Sequence, residues 1–393
     1  MIKNKKFIIA VTIFASCLGV SRIVARYVFT KSDSKDLSGT VDVKDRTYTT
    51  YDILLKAGYE NASCTVTDFY GNNVSQNYVT NFFVAENDDN TYATDVTDSN
   101  GNHFVKLKKY YINMSQDTSG GDEDGVITYK LSHTKVDDTY FVCPYFYDKD
   151  GNEIDYAYYG KYKGNVTNGK LCSKAGVTPT FSTIIDDFRT YARANGDQYH
   201  QTDWCTVFTA QIMFMCYYKS TDAASKITYQ YYSANTGTGT QVLGIENIVG
   251  GGFEFIDGVQ LRFVTNVSPF KLNVSWENKI SAYSNNMTNN TVDIGGYVNG
   301  YSGYYIKHMN YVKDSPILSL FPKEFTDETT SSSDKYYCST FWFHNSNPDT
   351  RVVYWGAHWP DLDDYGPFYL YCIYSWNNDY TYIGSRLHTK KLC

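Results

Sequence analysis

The chain has 393 residues, a net charge of −7 and no basic stripe, which sets nucleic acid aside as a partner because phosphate binding needs clustered Lys and Arg. Its 39 Tyr and 22 Phe raise aromatics to 17%, and with abundant Asn, Gly, Ser and Thr they favour strands, turns and polar contact surfaces over a helical bundle. The length leaves room for two or three domains and a substantial core.

Lys3, Lys5 and Lys6 precede an uncharged, mostly apolar stretch over 7–20, so residues 1–30 are expected to be a signal peptide or a membrane anchor. Cys17 follows Phe14-Ala15-Ser16, which resembles a bacterial lipoprotein cleavage box with Phe in place of Leu; a lipidated Cys17 is one alternative. An uncleaved anchor running to 29 is a second, although Arg22 and Arg26 would each cost about 2.5–3.5 kcal/mol near a helix centre. An apolar helix within a larger assembly is the third. The expected location is therefore exported, at a cell surface or on a virion.

Residues 31–45 are polar and read as a linker. Short β-prone pieces at 64–69 and 78–84, separated by Gly-Asn and Asn-Asp turns, predict a small β-rich N-terminal domain over 31–103. Strand patterns follow at 104–114, 126–133 and 139–147. The loop 115–125 carries acids without EF-hand spacing, which argues against calcium there. Asp148-Lys149-Asp150-Gly151-Asn152 predicts a hairpin turn before a strand at 154–162.

Two helices are predicted next. Over 182–195, Ile184, Ile185, Phe188, Tyr191 and Ala192 recur at helical spacing, with Ser182 as N-cap and Gly196 as stop. Over 203–218, Trp204, Val207, Phe208, Gln211, Met215 and Tyr218 share one face, with Asp203 as cap. Both read as scaffold packed on a sheet. Gly250–252 precede an apolar run at 253–263, while 233–240, 283–291 and 327–335 are polar loops; no internal repeat is evident.

The nine cysteines form no C-x-x-C pair, which argues against a zinc ribbon or thioredoxin-type site. With Cys17 set aside, the other eight either pair in an exported protein or serve as small buried hydrophobes. Eight N-x-S/T sequons occur, Asn273 and Asn286 among them, and they matter only in a eukaryotic secretory host.

The C-terminal stretch is the most informative. Runs at 351–355 and 368–374 flank an Asp/Gly/Pro turn segment, and a third at 380–383 ends near Gly384 and Arg386. On the strand at 368–374, Phe368, Leu370 and Cys372 alternate as the core face. The other face and its flanking loops carry Tyr, Trp, Asn and Asp, which give large contact area at low entropy cost with adaptable hydrogen bonds. The expected ligand-binding residues are Trp355, His358, Asp361, Asp363, Asp364, Tyr365, Tyr369, Tyr371, Tyr374, Trp376, Asn377, Asn378, Asp379 and Tyr380.

The motif Glu246-Asn-Ile-Val-Gly250-Gly-Gly-Phe-Glu254-Phe-Ile-Asp257-Gly258, with Phe188-Arg189-Thr-Tyr-Ala-Arg upstream and Gly384-Ser-Arg386-Leu at the end, resembles the C-type-lectin-like fold of the formylglycine-generating-enzyme branch. It departs from that pattern at Gly251 and Gly252, where Asn and Trp are usual. More narrowly, the chain resembles phage and bacterial surface variable proteins that diversity-generating retroelements target. The resemblance covers about 104–387 and implies an α+β class: a C-type-lectin-like ligand-binding domain over 104–393, preceded by the small β domain. It also implies a rigid framework displaying a variable C-terminal face to a protein or glycan receptor on another cell or surface, and a homotrimer is one candidate assembly.

Other readings of the same residues stay open. One is a structural virion or tail protein whose lectin-like domain mediates assembly. Another is an oxidoreductase like the formylglycine-generating enzymes; Cys338 and Cys372 stand outside that family's catalytic motif, and the seven His lack the spacing of a three-histidine iron site. Asn347-Pro-Asp349 and Trp376-Asn-Asn-Asp379 echo calcium-lectin signatures only loosely. The expectation is therefore a binding protein rather than an enzyme, with no catalytic residues, no cofactor and no metal.

Overall fold

The computed structural model describes residues 52–227, 241–264, 270–288, 290–297, 304–311, 315–326, 335–343, 350–356 and 366–392. The architecture is mixed α+β, with sheets predominating and three α-helices among the described residues. The expected leader at 1–30, the linker at 31–45 and the loop at 233–240 lie outside those residues.

Three larger sheets organise the chain. The first has the order Thr65–Thr67, Ile53–Ala57, Ile127–Ser132, Tyr111–Gln116, Phe141–Val142. In the second, Leu387–Thr389 is inserted between Tyr199–Gln201 and Tyr156–Gly160, followed by His103–Lys108 and Val96–Thr97. The end of the chain is thus an interior strand of a sheet whose other members lie far upstream. Ladder bonds from Ile53–Ala57 to Ile127–Ser132, and the pairing of Val96 with Phe104, cross the domain boundary expected at 103/104. All described residues belong to one unit, Thr49–Cys393. The turn-rich segment read as a separate domain supplies outer strands of shared sheets.

The third sheet has nine strands and carries the C-terminal region. Its order runs Val292–Tyr297, Phe270–Trp276, Phe253–Val264, Thr350–Trp355, Leu370–Cys372, Thr340–Phe343, Tyr304–Met309, Pro322–Phe325, with Ile383–Gly384 pairing alongside Phe253–Val264. Its central strands are covered on both faces. Val353, Trp355, Leu370 and Cys372 enter the main hydrophobic cluster on one side. Val352, Tyr354, Tyr369 and Phe253 enter a second cluster on the other.

Two helices follow the sequence reading and one does not. The helix α1, Gln76–Phe83, replaces the strand expected at 78–84. Ser75 caps it by accepting the Tyr78 N–H, and Val79, Phe82 and Phe83 recur at helical spacing to form its buried stripe. Helix α2, Ile185–Arg193, starts after Ile184, whose side chain makes no cap bond, so Ser182 is not the N-cap. Helix α3, Trp204–Tyr218, is capped by Asp203 through a reciprocal bond with Thr206. It was expected to bury one face; instead every residue from Trp204 to Cys216 is buried. A helix apolar around its whole circumference belongs in the middle of a core.

One turn recurs three times in the same form, where no repeat was evident. In Asp68–Asn72, Asp98–Asn102 and Asp148–Asn152 the aspartate Oδ1 accepts the N–H groups two and four residues on, and the asparagine amide donates back to the carboxylate. The fourth position takes a left-handed backbone, φ 85°, 72° and 88°, which glycine adopts without a Cβ clash. The spelling D-x-x-G-N is therefore a self-contained turn module.

Candidate functional site

Beneath the C-terminal face lies a buried ionic framework assembled from the motif residues. The Glu254 Oε1 meets Lys163 Nζ at 2.6 Å and Arg386 Nε at 3.2 Å, and its Oε2 accepts the Thr202 hydroxyl at 2.5 Å. Arg386 is fully buried and also donates to the carbonyls of Gly160, Lys161, Glu246 and Asn247. Asp257 accepts both arms of Arg189 at 2.9 Å and the Gln201 amide at 3.0 Å. Burial opposes the Glu254 carboxylate, but the Lys163 and Arg386 cations outweigh it and hold its pKa at about 2. Burial in turn lowers Lys163 to about 8, against the pull of Glu254.

Asp203, the cap of α3, also accepts the Tyr283 hydroxyl at 2.9 Å and lies 3.1 Å from His200 Nδ1. His388, on the terminal strand, stacks on His200 and is held well below the usual imidazole range by burial first and by the His200 charge second. Every member of this framework is buried, and its bonds tie 160–163, 200–203, 246–257 and 386–388 together.

On the opposite side of the tail lies a ladder of aromatic rings. Tyr354 stacks on Tyr371 at 5.8 Å and on Tyr374 at 6.0 Å; Tyr374 meets Tyr380 at 4.1 Å, and Tyr380 stacks on Tyr382 at 5.5 Å. Phe253 anchors the inner end, stacking on Tyr369 and Tyr371. Tyr354 and Tyr369 are buried, whereas Tyr371, Tyr374, Tyr380 and Tyr382 are partly exposed. Burial, reinforced by the hydrogen bond with the Tyr374 hydroxyl, pushes the Tyr380 phenol up to about 12, so it stays neutral at any physiological pH. Trp376 stands apart with 40% exposure, between Ser375 and Asn377, whose side chains bond to each other.

The expected contact residues therefore divide into three groups. Tyr371, Tyr374 and Tyr380 are partly exposed and joined by ring contacts, and Trp376, Asn377, Asn378 and Asp379 lie exposed or half-exposed in the turn between Tyr374 and Tyr380. Trp355 and Tyr369 do not belong with them, at 1% exposure each. The alternation argument assigned one face of these strands to water, but both faces are packed, and Tyr369 falls into the second core. His358, Asp361, Asp363, Asp364 and Tyr365 lie outside the described residues. Phe368, Leu370 and Cys372 are buried, as the alternation required.

The sequence reading missed Tyr382 and Trp342. Tyr382 had a local signal, since it repeats the two-residue spacing of Tyr380. Trp342 had none: parallel pairing sets it opposite Tyr371 from 29 positions upstream. Cys64, Cys143, Cys172, Cys205, Cys216 and Cys372 stand as buried thiols rather than a disulfide framework. Among the described residues, no group of three or more His, Cys, Asp or Glu is placed to hold a metal, and no helix is long and apolar enough to cross a membrane. No protein-family model matches the chain, and no curated protein matches it.

Proposed function

We propose that this is a binding protein that recognises a protein or glycan receptor through the face built from Tyr371, Tyr374, Trp376, Asn377, Asp379, Tyr380 and Tyr382. The observation that carries the reading is the ladder itself. Four partly exposed phenols are held in register by a buried stack, so little side-chain entropy remains to be lost on contact. Ring edges and hydroxyls would supply hydrogen bonds and edge contacts, while Trp376 alone presents an open ring surface for stacking. No catalytic group is assigned to this face.

The finer fold reading is a C-type-lectin-like domain of the formylglycine-generating-enzyme branch. Support comes from how its motif residues meet: Arg189 with Asp257, Glu254 with Arg386, and Arg386 with the Asn247 carbonyl, from three separate parts of the chain. Diversification by a retroelement follows as part of the same proposal, and a reverse-transcriptase gene with a template repeat beside the coding sequence is the outcome it requires.

Binding to a printed array of glycans and immobilised peptides tests the recognition face. The wild-type chain is expected to select a subset of spots. The Trp376→Ala and Tyr380→Ala variants are expected to lose that signal at least tenfold with unchanged melting temperature. Variants that bind like wild type would refute the assignment.

A further inference from the structure

We propose that a cleft over strands Phe270–Trp276, Phe253–Val264 and Thr350–Trp355 of the nine-stranded sheet is a second binding site, for a small polyhydroxylated carboxylate of the kind that a uronate residue presents. The cleft encloses about 210 Å³. Its floor is the outward face of three adjacent strands. Arg262 sits in register with Thr350 on one neighbour and with Asn273 on the other, and Gln260 pairs with Ser275 one rung along. Residues between them, Leu261 and Val274, point into the main core, which fixes the face that the polar set occupies.

The walls are held by bonds among part of the lining, Gln260, Ser275 and Thr291. Gln260 uses both ends of its amide on the loop above: Nε2 donates to the Ser284 carbonyl at 2.8 Å and Oε1 accepts the Met287 N–H at 2.9 Å. Ser275 and Thr291 pair through their hydroxyls at 2.9 Å. That scaffolding sets Asn286, Met287 and Thr288 over the floor. Among the described residues, the Arg262 guanidinium and the Asn273 and Asn286 amides bond to no protein group.

The lining dictates the ligand class. Arg262 is the one charged group among the lining residues, in a chain of net charge −7, so the complement is a single anion. A guanidinium engages a carboxylate through two parallel N–H bonds. The Asn273 and Asn286 amides and the Thr288 and Thr350 hydroxyls offer both donors and acceptors, which matches a ring of hydroxyl groups, and the Met287 side chain offers a soft apolar contact for C–H bonds. The volume suits one hexose-sized unit rather than a longer oligomer.

Asn273 and Asn286 both begin N-x-S/T sequons, so the full chain for the test is made in a bacterial host. Calorimetric titration with sodium glucuronate is expected to give saturable binding in the millimolar range. Glucose, which lacks the carboxylate, and acetate, which lacks the hydroxyls, are each expected to bind at least tenfold more weakly. Arg262→Ala is expected to raise the glucuronate Kd at least tenfold, and Asn286→Ala severalfold, with melting temperatures unchanged because both side chains lie at the surface. The proposal is overturned if glucuronate gives no saturable heat, if glucose binds equally well, or if Arg262→Ala binds as wild type does. Trp376 is not among the lining residues, and Trp376→Ala should leave this titration unaltered.

Discussion

Tyr369 and Trp376 lie seven positions apart and have opposite fates, which makes them the sharpest pair for substitution. Truncating the buried Tyr369 removes a ring stacked on Phe253 and leaves a cavity, so Tyr369→Ala should cost about 3–5 kcal/mol in a denaturant melt. Trp376→Ala should change stability by no more than about 0.5 kcal/mol in the same melt. Equal costs would mean that Trp376 is also packed. Glu254 offers a second contrast: Glu254→Gln leaves Lys163 and Arg386 buried without their counter-charge, at an expected cost of about 3–5 kcal/mol. The sequence motif drew attention to Glu254 and Asp257, but as family markers; that they are ionic ties to Lys163, Arg386 and Arg189 depends on contacts more than 60 positions apart. Tyr369 was misplaced for a related reason, since strict alternation identifies a solvent face only when one side of the sheet is uncovered.

Among the elements, α3 was the most legible and α1 the least. Asp203 before a long apolar run is a strong start signal, and the structure adds the reciprocal bond with Thr206 and the Tyr283 hydroxyl. Asp203→Ala should therefore destabilise by more than the roughly 1 kcal/mol of an ordinary cap, because it also leaves the buried Tyr283 hydroxyl without its acceptor. A loss of 0.5 kcal/mol or less by chemical denaturation would show that the cap is incidental. Helix α1 is only eight residues long and rich in Tyr, Val and Phe, so its local propensity favours strand and its stability comes from packing. The D-x-x-G-N turns were individually legible and collectively overlooked. In any of them, replacing the glycine by alanine should cost about 1–2 kcal/mol for a left-handed backbone carrying a Cβ.

Taken as one body, the protein should be acid-sensitive in a defined window. His388 is held well below 6.5 and His133 at about 4, both chiefly by burial, so the fold binds fewer protons than the unfolded chain just below pH 6.5. Stability is expected to be level from about pH 6.5 up to about pH 8, where the lowered Lys163 begins to titrate, and to fall as pH drops from about 6.5 towards 4, by at most about 1.4 kcal/mol per pH unit for each histidine. Glu254 continues the loss as pH falls from 4.5 to its folded value of about 2. Melting temperatures that stay constant from pH 7 to pH 4 would contradict the buried, neutral state of both imidazoles. The proposed function rests on a different property of the whole, namely that its interlocked framework leaves the ladder's outer rings partly exposed. Hydroxyl-radical footprinting of the purified full chain, read by mass spectrometry, measures this without knowledge of any ligand. Strong labelling of Trp376 and intermediate labelling of Tyr371, Tyr374 and Tyr380 are predicted, beside protection of Trp355 and Tyr369. Trp376 and Tyr380 protected to the level of Tyr369 would mean that the face is buried, within the chain or between copies, and that it grips no foreign molecule.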